Sequence, residues 1–223
     1  MKIPLSAPDI HESDIAAVCR VLRSPHLSLG PNLEEFEKSI ASYAGVSDAV
    51  AVSSGMSGLH LCIRALGIGE GDEVLVPSFT FIAAANAIRY ERAQPVFIDI
   101  EPQMLNLDPA RIEAKIASRT RAIMVVHTFG CPAEMSSIVE IARASGLLII
   151  EDACEAIGAE YDGRKAGTIG DAGVFAFYPN KQITTGEGGA IVTRDSKLAG
   201  RLRMLRNHGR DSSIDWFDCS EPG

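Results

Sequence analysis

The chain has no CxxC pair and no HExxH arrangement, so the usual spacings of a zinc site are missing. Its five cysteines, at positions 19, 62, 131, 154 and 219, are scattered and odd in number. They predict a reducing, cytoplasmic setting, with Cys19, Cys62 and Cys154 as small core residues rather than bridge partners. Long apolar runs are absent as well. The opening MKIPLSAPDIHESD lacks a signal-like stretch and later apolar runs are of strand length, which predicts neither a secretory signal nor a spanning helix. Concentrated basic charge is confined to the mild RLRMLRNHGR segment. With 29 acidic against 21 basic residues and a formal charge of -8, the balance argues against nucleic-acid and anionic-membrane partners. No internal repeat or low-complexity tract is evident, and GIGEGD at 67–72 lacks dinucleotide-fingerprint spacing.

The 223 residues, 46% hydrophobic and 22% charged, suffice for one sizeable core. From about residue 46, β-rich runs alternate with helical stretches, the pattern of a mostly parallel sheet covered on both faces. Strands are predicted at 49–52, 73–76, 95–98, 122–126 and 147–150, with two more in DAGVFAF and GGAIVT. Helices are predicted in SGLHLCIRAL, FIAAANAIRYE, PARIEAKIAS and EMSSIVEIARASG, and over 196–207, where leucines 198, 202 and 205 form a stripe. Asp108 and Pro109 read as the cap and first turn of the PARIEAKIAS helix. Ahead of the sheet lie a helix in DIAAVCRVLRS, a glycine-bearing loop and the amphipathic NLEEFEKSIASYAG.

Chemistry concentrates in two segments. In AFYPNKQITTGEGGAIV, Lys181 stands between an apolar run and a glycine cluster; LLIIEDACEAIGA ends a strand with Glu151 and Asp152. An amine able to form a Schiff base and an acid able to hold a pyridine nitrogen protonated are the minimum for pyridoxal phosphate chemistry. Asp152 lies just past a strand's C-terminal end, where ligands bind in open α/β sheets, and Glu151 should point the opposite way. Either carboxylate has the alternative role of capping the next short helix. The turn SSGMSGLH opens a helix whose first N–H groups, around Gly55, Met56 and Ser57, suit a phosphate, with simple capping by Ser54 and Ser57 as the alternative. Phe81 in PSFTFIAAANAI is placed to lie against a flat cofactor or to pack in the core.

These blocks, APDI, SSGMSGLHL, GDEVLVPSFTFIAAANAI, PVFIDI, EDACEAIGA, GDAGVFAFYPNKQITTGEGG and LRNHGR, resemble in content and order the DegT/DnrJ/EryC1/StrS family of sugar aminotransferases. The resemblance implies the large domain of a fold-type I, aspartate-aminotransferase-like enzyme with a mostly parallel seven-stranded sheet. It implies pyridoxal 5'-phosphate as cofactor and transfer of an amino group, from glutamate, to a nucleotide-linked keto-deoxy sugar. Lys181 takes the place of the Schiff-base lysine, Asp152 that of the pyridine-nitrogen partner, and Phe81 that of the stacking aromatic. Gly55, Met56 and Ser57 take that of the phosphate turn. Glu155 stands where Gln or His is common beside the cofactor ring. Ala176 replaces a phosphate-touching Ser, and Tyr178 replaces the His of a common FH pair. A homodimer with sites at the subunit interface is also implied. The expected organisation is a helical segment over 1–40, the cofactor-binding domain over 41–210, and an incomplete tail over 211–223, carrying Trp216, that leads toward a smaller C-terminal domain. A noncatalytic binding or regulatory protein on the same scaffold is the competing reading.

Overall fold

A computed structural model describes residues 6–210; the expected tail at 211–223, with Trp216 and Cys219, lies outside the described residues. The first helix, α1 (Glu12–Leu22), begins at His11, whose backbone N–H donates to Asp14 Oδ2 at 2.9 Å. It contributes no buried residue. Helix α2 (Pro31–Ala44) starts with proline in its first turn and ends on left-handed Gly45, which suits a residue without Cβ. Ile40, Ala41 and Ala44 enter the core from it, so the helix is continuous through residue 40, where the sequence divided a helical segment from the sheet domain.

The remaining elements alternate as the hydrophobic pattern dictates: β1 (Asp48–Val52), α3 (Gly55–Ala65), β2 (Glu73–Pro77), α4 (Ala83–Tyr90), β3 (Gln94–Ile98), β4 (Thr120–Val126), α5 (Met135–Ser145) and β5 (Leu148–Asp152). A small hairpin of β6 (Glu160–Tyr161) and β7 (Arg164–Lys165), which the sequence did not announce, precedes β8 (Ala172–Ala176), β9 (Gly189–Thr193) and α6 (Ser196–Arg206). The main sheet has seven strands in the order β1-β9-β8-β5-β4-β2-β3. Its pairings from β3 through β8 are parallel, whereas β9 runs antiparallel to both β8 and β1. Strands β2, β8 and β9 are buried throughout, as expected of strands covered on both faces.

Alternation along the strands sorts the core. Val74, Met124, Ile150 and Val174 face the layer of α3, α4 and α6, while Leu75, Ile123 and Ile149 face the layer containing Met135 and Ile138 of α5. A third cluster joins Phe175 and Phe177 to α2, where Phe36 meets Phe177 edge to face. Cys62 is fully buried, and burial pushes its thiol up to about 12. Cys154 is only partly buried, and Cys19 sits half-exposed on α1, so neither is the full core residue expected.

One expected helix is absent. PARIEAKIAS forms two short 3-10 turns, Pro109–Arg111 and Glu113–Lys115, rather than an α-helix. Asp108 does cap the first, accepting from Ala110 N–H at 3.0 Å. Ile112 is the segment's fully buried anchor, and Ile116 already has extended backbone leading into β4. One buried side chain offers too little burial to offset the cost of nucleating a longer helix.

Candidate active site

Of the residues singled out in sequence, Asp152, Glu155, Lys181 and Gly55 are brought together where the parallel strands end. Leaving β5, the chain alternates faces: Glu151 follows the face of Ile149 and Asp152 that of Ile150, which is the α3 side. Glu151, fully buried, accepts N–H bonds from Gly167 at 2.8 Å, Ile169 at 2.6 Å and Gly170 at 2.6 Å. His127 completes the set. Its Nδ1 accepts from Ala133 N–H at 3.1 Å, which leaves the proton on Nε2 to be donated to Glu151 at 2.8 Å. Glu151 is therefore a structural clamp that ties β4 and the turn before β8 to the back of β5, not a helix cap.

Asp152 is also buried, and among the described residues its carboxylate accepts from Cys154, whose N–H lies at 3.2 Å. Burial raises its carboxyl above the ordinary value, opposed by hydrogen bonding from Cys154 and by the charge of Lys181. Burial likewise raises the Cys154 thiol, and the neighbouring Asp152 raises it further. A buried carboxylate with spare acceptor capacity suits a cationic N–H donor such as a protonated pyridine.

Lys181 lies in the β8–β9 connection, its side chain 16% exposed and its Nζ 2.8 Å from Glu155 Oε1. Glu155 is three residues past Asp152, and its backbone carbonyl accepts from Gln182, so the lysine loop is tied to the β5 loop through both neighbours. Tyr178 and Ile183, on the same connection, are exposed.

The α3 N-terminus borders the same face. Ser54 caps it, accepting from Ser57 N–H at 3.1 Å, and the Ser57 hydroxyl lies 2.9 Å from both the Ser53 and Ser54 hydroxyls. Capping is thus present and does not compete with an anion role, because Gly55 and Met56 head the helix with no residue one turn back to accept their N–H groups. A Cβ on Gly55 would stand 2.8 Å from Ala176 Cβ and 2.8 Å from Cys154 Sγ, so helix-to-strand packing dictates the residue. Ala176, at the end of β8, closes on the first residue of α3.

Phe81 precedes α4 and is 77% exposed, so core packing does not hold it. Beside it the Thr80 hydroxyl is buried without a partner among the described residues. An exposed ring, an orphaned hydroxyl, an anion-ready helix start, a half-satisfied buried carboxylate and a shielded amine fit a flat aldehyde bearing a phosphate and a basic ring nitrogen. Sequence reasoning missed His127, Asn106 and Phe129. Asn106 is buried and bridges two loops, its Oδ1 accepting from Thr128 N–H at 3.0 Å and its Nδ2 donating to Cys131 O at 3.1 Å. The one available signal was the buried-strand context of His127; Asn106 and Phe129 sit in segments without periodicity.

The sequence model of the DegT/DnrJ/EryC1/StrS aminotransferase family matches residues 8–219. GDP-perosamine synthase of Caulobacter vibrioides is 47% identical over 218 residues, covering 97% of this chain and 59% of that protein. Among solved structures, Streptomyces venezuelae DesV in complex with a ketimine intermediate superposes with a TM-score of 0.85 at 48% identity, covering 88% of this chain and 53% of that one. The PLP form of Spr1654 from Streptococcus pneumoniae gives a TM-score of 0.89 at 29% identity, covering 94% and 59%. The chain therefore spans between about half and three-fifths of the length of these relatives.

Proposed function

The chain belongs to the DegT/DnrJ/EryC1/StrS aminotransferase family, and from that premise we propose that the whole protein transfers an amino group, from glutamate, to the keto carbon of a nucleotide-linked keto-deoxy sugar, using pyridoxal 5'-phosphate. The observation that carries this reading is the pairing of a shielded amine with a buried, under-bonded carboxylate: Lys181 held at 2.8 Å by Glu155, and Asp152 within reach of its charge. The likeness to a perosamine synthase and to a ketimine-bound aminotransferase supports the substrate class.

Pyridoxal phosphate, when bound, supplies an electrophilic aldehyde and a ring that accepts the electrons of a breaking C–H bond. Asp152 accepts the ring nitrogen's N–H and keeps that proton in place. The N–H groups of Gly55 and Met56 and the hydroxyls of Ser54 and Ser57 hold the phosphate; with alanine at 176, that strand adds no hydroxyl. Phe81 covers one ring face. Lys181 Nζ would hold the cofactor through its aldehyde carbon, and as a free amine it would be the base that takes the donor's α-proton. Glu155 accepts a hydrogen bond from the free lysine and so keeps Nζ at the reacting carbon. Assembly as at least a homodimer, with the site completed across the interface, belongs to the same reading.

The decisive experiment is borohydride reduction of the whole protein with pyridoxal phosphate, followed by peptide mapping. The reading expects attachment at Lys181 that vanishes in Lys181→Ala, together with glutamate-dependent conversion of the cofactor spectrum. Attachment confined to other lysines such as Lys197, or no spectral change with any amino donor, would overturn it in favour of a noncatalytic binding or regulatory protein.

A further inference from the structure

Phe129 has the backbone of a glycine and the exposure of a surface lysine. It follows β4 with φ 52° and ψ 27°, the left-handed region that non-glycine residues occupy at a cost, and its side chain is 74% exposed. Such a conformation persists only where the surroundings over-determine it. Here they do. Asn106 holds the peptide on either side through Thr128 N–H and Cys131 O, and the Thr128 hydroxyl donates to Leu105 O at 3.3 Å. Leu105 is itself left-handed, at φ 61°. On the far side, a Cβ on Gly130 would stand 2.8 Å from the Glu155 carbonyl oxygen, so the loop abuts the segment whose carboxylate holds Lys181.

All this bracing displays one aromatic ring. That ring meets exposed Phe79 edge to face, with centroids 6.1 Å apart, and Phe79 lies two residues before Phe81 on the same loop. The result is a pair of exposed phenyl rings, one of them on the loop that abuts the Glu155 segment, whose carboxylate holds the Lys181 amine. Within a few ångströms of that amine a nucleotide-sugar substrate must place its sugar, because the keto carbon is on the sugar; the nucleotide lies further out.

Resting on the functional reading above, we infer that Phe129, backed by Phe79, is a specificity-determining residue that packs against the apolar C–H and deoxy face of the keto sugar. A deoxyhexose presents such a face where a fully hydroxylated hexose would leave hydroxyl groups without partners. The strained backbone fixes the ring's position rather than its chemistry.

The test uses the whole protein loaded with pyridoxal phosphate, Phe129→Gly and Phe129→Tyr variants, and two probes, a GDP-linked and a dTDP-linked 4-keto-6-deoxyhexose. Phe129→Gly suits the left-handed backbone, so its melting temperature should equal or exceed that of the parent. Its KM for whichever keto sugar is the substrate should rise about tenfold, the KM for the amino donor should shift far less, and Phe129→Tyr should restore the parent value. Calorimetry should show the same tenfold weakening for the nucleotide sugar and none for free GDP or dTDP. Equal weakening for sugar nucleotide and free nucleotide, an unchanged sugar KM, or a change of oligomeric state by light scattering would each overturn the inference. Failure of the parent protein to act on any keto sugar would overturn the functional reading and this inference with it.

Discussion

At the scale of single residues, the site holds groups whose environment works against the empty fold. Asp152 is buried, with Cys154 N–H donating to it, and burial outweighs its favourable neighbours to raise its carboxyl. For a carboxyl raised in the folded state the linkage runs against stability: no penalty below the unfolded value of about 4, a growing one above it, and the full penalty above the raised folded value. Asp152→Asn keeps the acceptor for Cys154 N–H and removes the charge. The cofactor-free variant should melt about 2–4 °C higher near neutral pH, with the difference closing as pH falls toward 4 in a thermal-melt series. The same variant should lose pyridoxal phosphate on dialysis. Gly55 offers a second residue-scale prediction. Gly55→Ala places a methyl 2.8 Å from Ala176 Cβ and Cys154 Sγ, so a cost of about 1–3 kcal/mol in urea unfolding is expected. Adding Ala176→Gly should recover part of it, a non-additivity expected of touching side chains.

Between elements, part-buried ion pairs link helices to one another and to the sheet. Glu91, at the end of α4, receives His60 at 2.6 Å and Arg64 at 3.0 Å, both from α3. Burial alone would raise its carboxyl, but the hydrogen bonds from His60 and Arg64 and the charge of Arg64 outweigh it and hold the group below its ordinary value. The sign is opposite to that of Asp152. This contribution is present above about pH 4 and is lost as pH falls through the lowered folded value. Glu91→Gln should therefore lower stability at pH 6 and shallow the acid limb of unfolding between about pH 5 and 3. A larger lock sits at β1, an edge strand: Glu37 of α2 accepts Ala51 N–H at 2.9 Å and pairs with Arg203 and Arg206 of α6, which donate to Ala49 O and Ala51 O. Glu37→Gln takes the carboxylate from Arg206 while Arg203 keeps Asp48 at 3.1 Å, and a loss of roughly 1–3 kcal/mol in denaturant unfolding is expected.

The elements were mostly legible because their signals are local. Buried runs such as VLVP and AGVFA can only be central strands, and Ser54, Asp108 and Asp195 cap as their side chains allow. The misread helix at 109–118 had good local propensity and a proper cap, and lost because just one of its side chains, Ile112, is fully buried, with Ile116 packed only partly against the core. In the site, Lys181 and Asp152 were legible from their flanks. The Glu151 clamp, the Asn106 bridge and the raised Phe129 were not, since each is defined by partners 16 to 25 residues away with no periodic spacing.

At the scale of the whole molecule, the Lys181 amine, the buried Asp152 carboxylate and the α3 N-terminus all gather where the parallel strands end, so cofactor binding should stabilise the entire fold by mass action. At a hundredfold excess over Kd this is about 2.7 kcal/mol, or a rise of roughly 5–11 °C in melting temperature, and Lys181→Ala should forfeit most of it.

The strand order carries one more consequence. Strand β1 is among the first parts of the sheet to be made, yet among the described residues its sheet neighbour is β9 alone, and the Asp48 carboxylate that bonds Ser196 waits for a residue 148 positions later. At 5–20 residues per second a ribosome needs roughly 10–30 s to deliver it. Throughout that interval the nascent β1 has both edges open, and α2 lacks the arginines of α6. Early chaperone capture during synthesis is the expected consequence, and slowing translation between codons 52 and 189 should increase aggregation in a cell-free synthesis assay rather than relieve it.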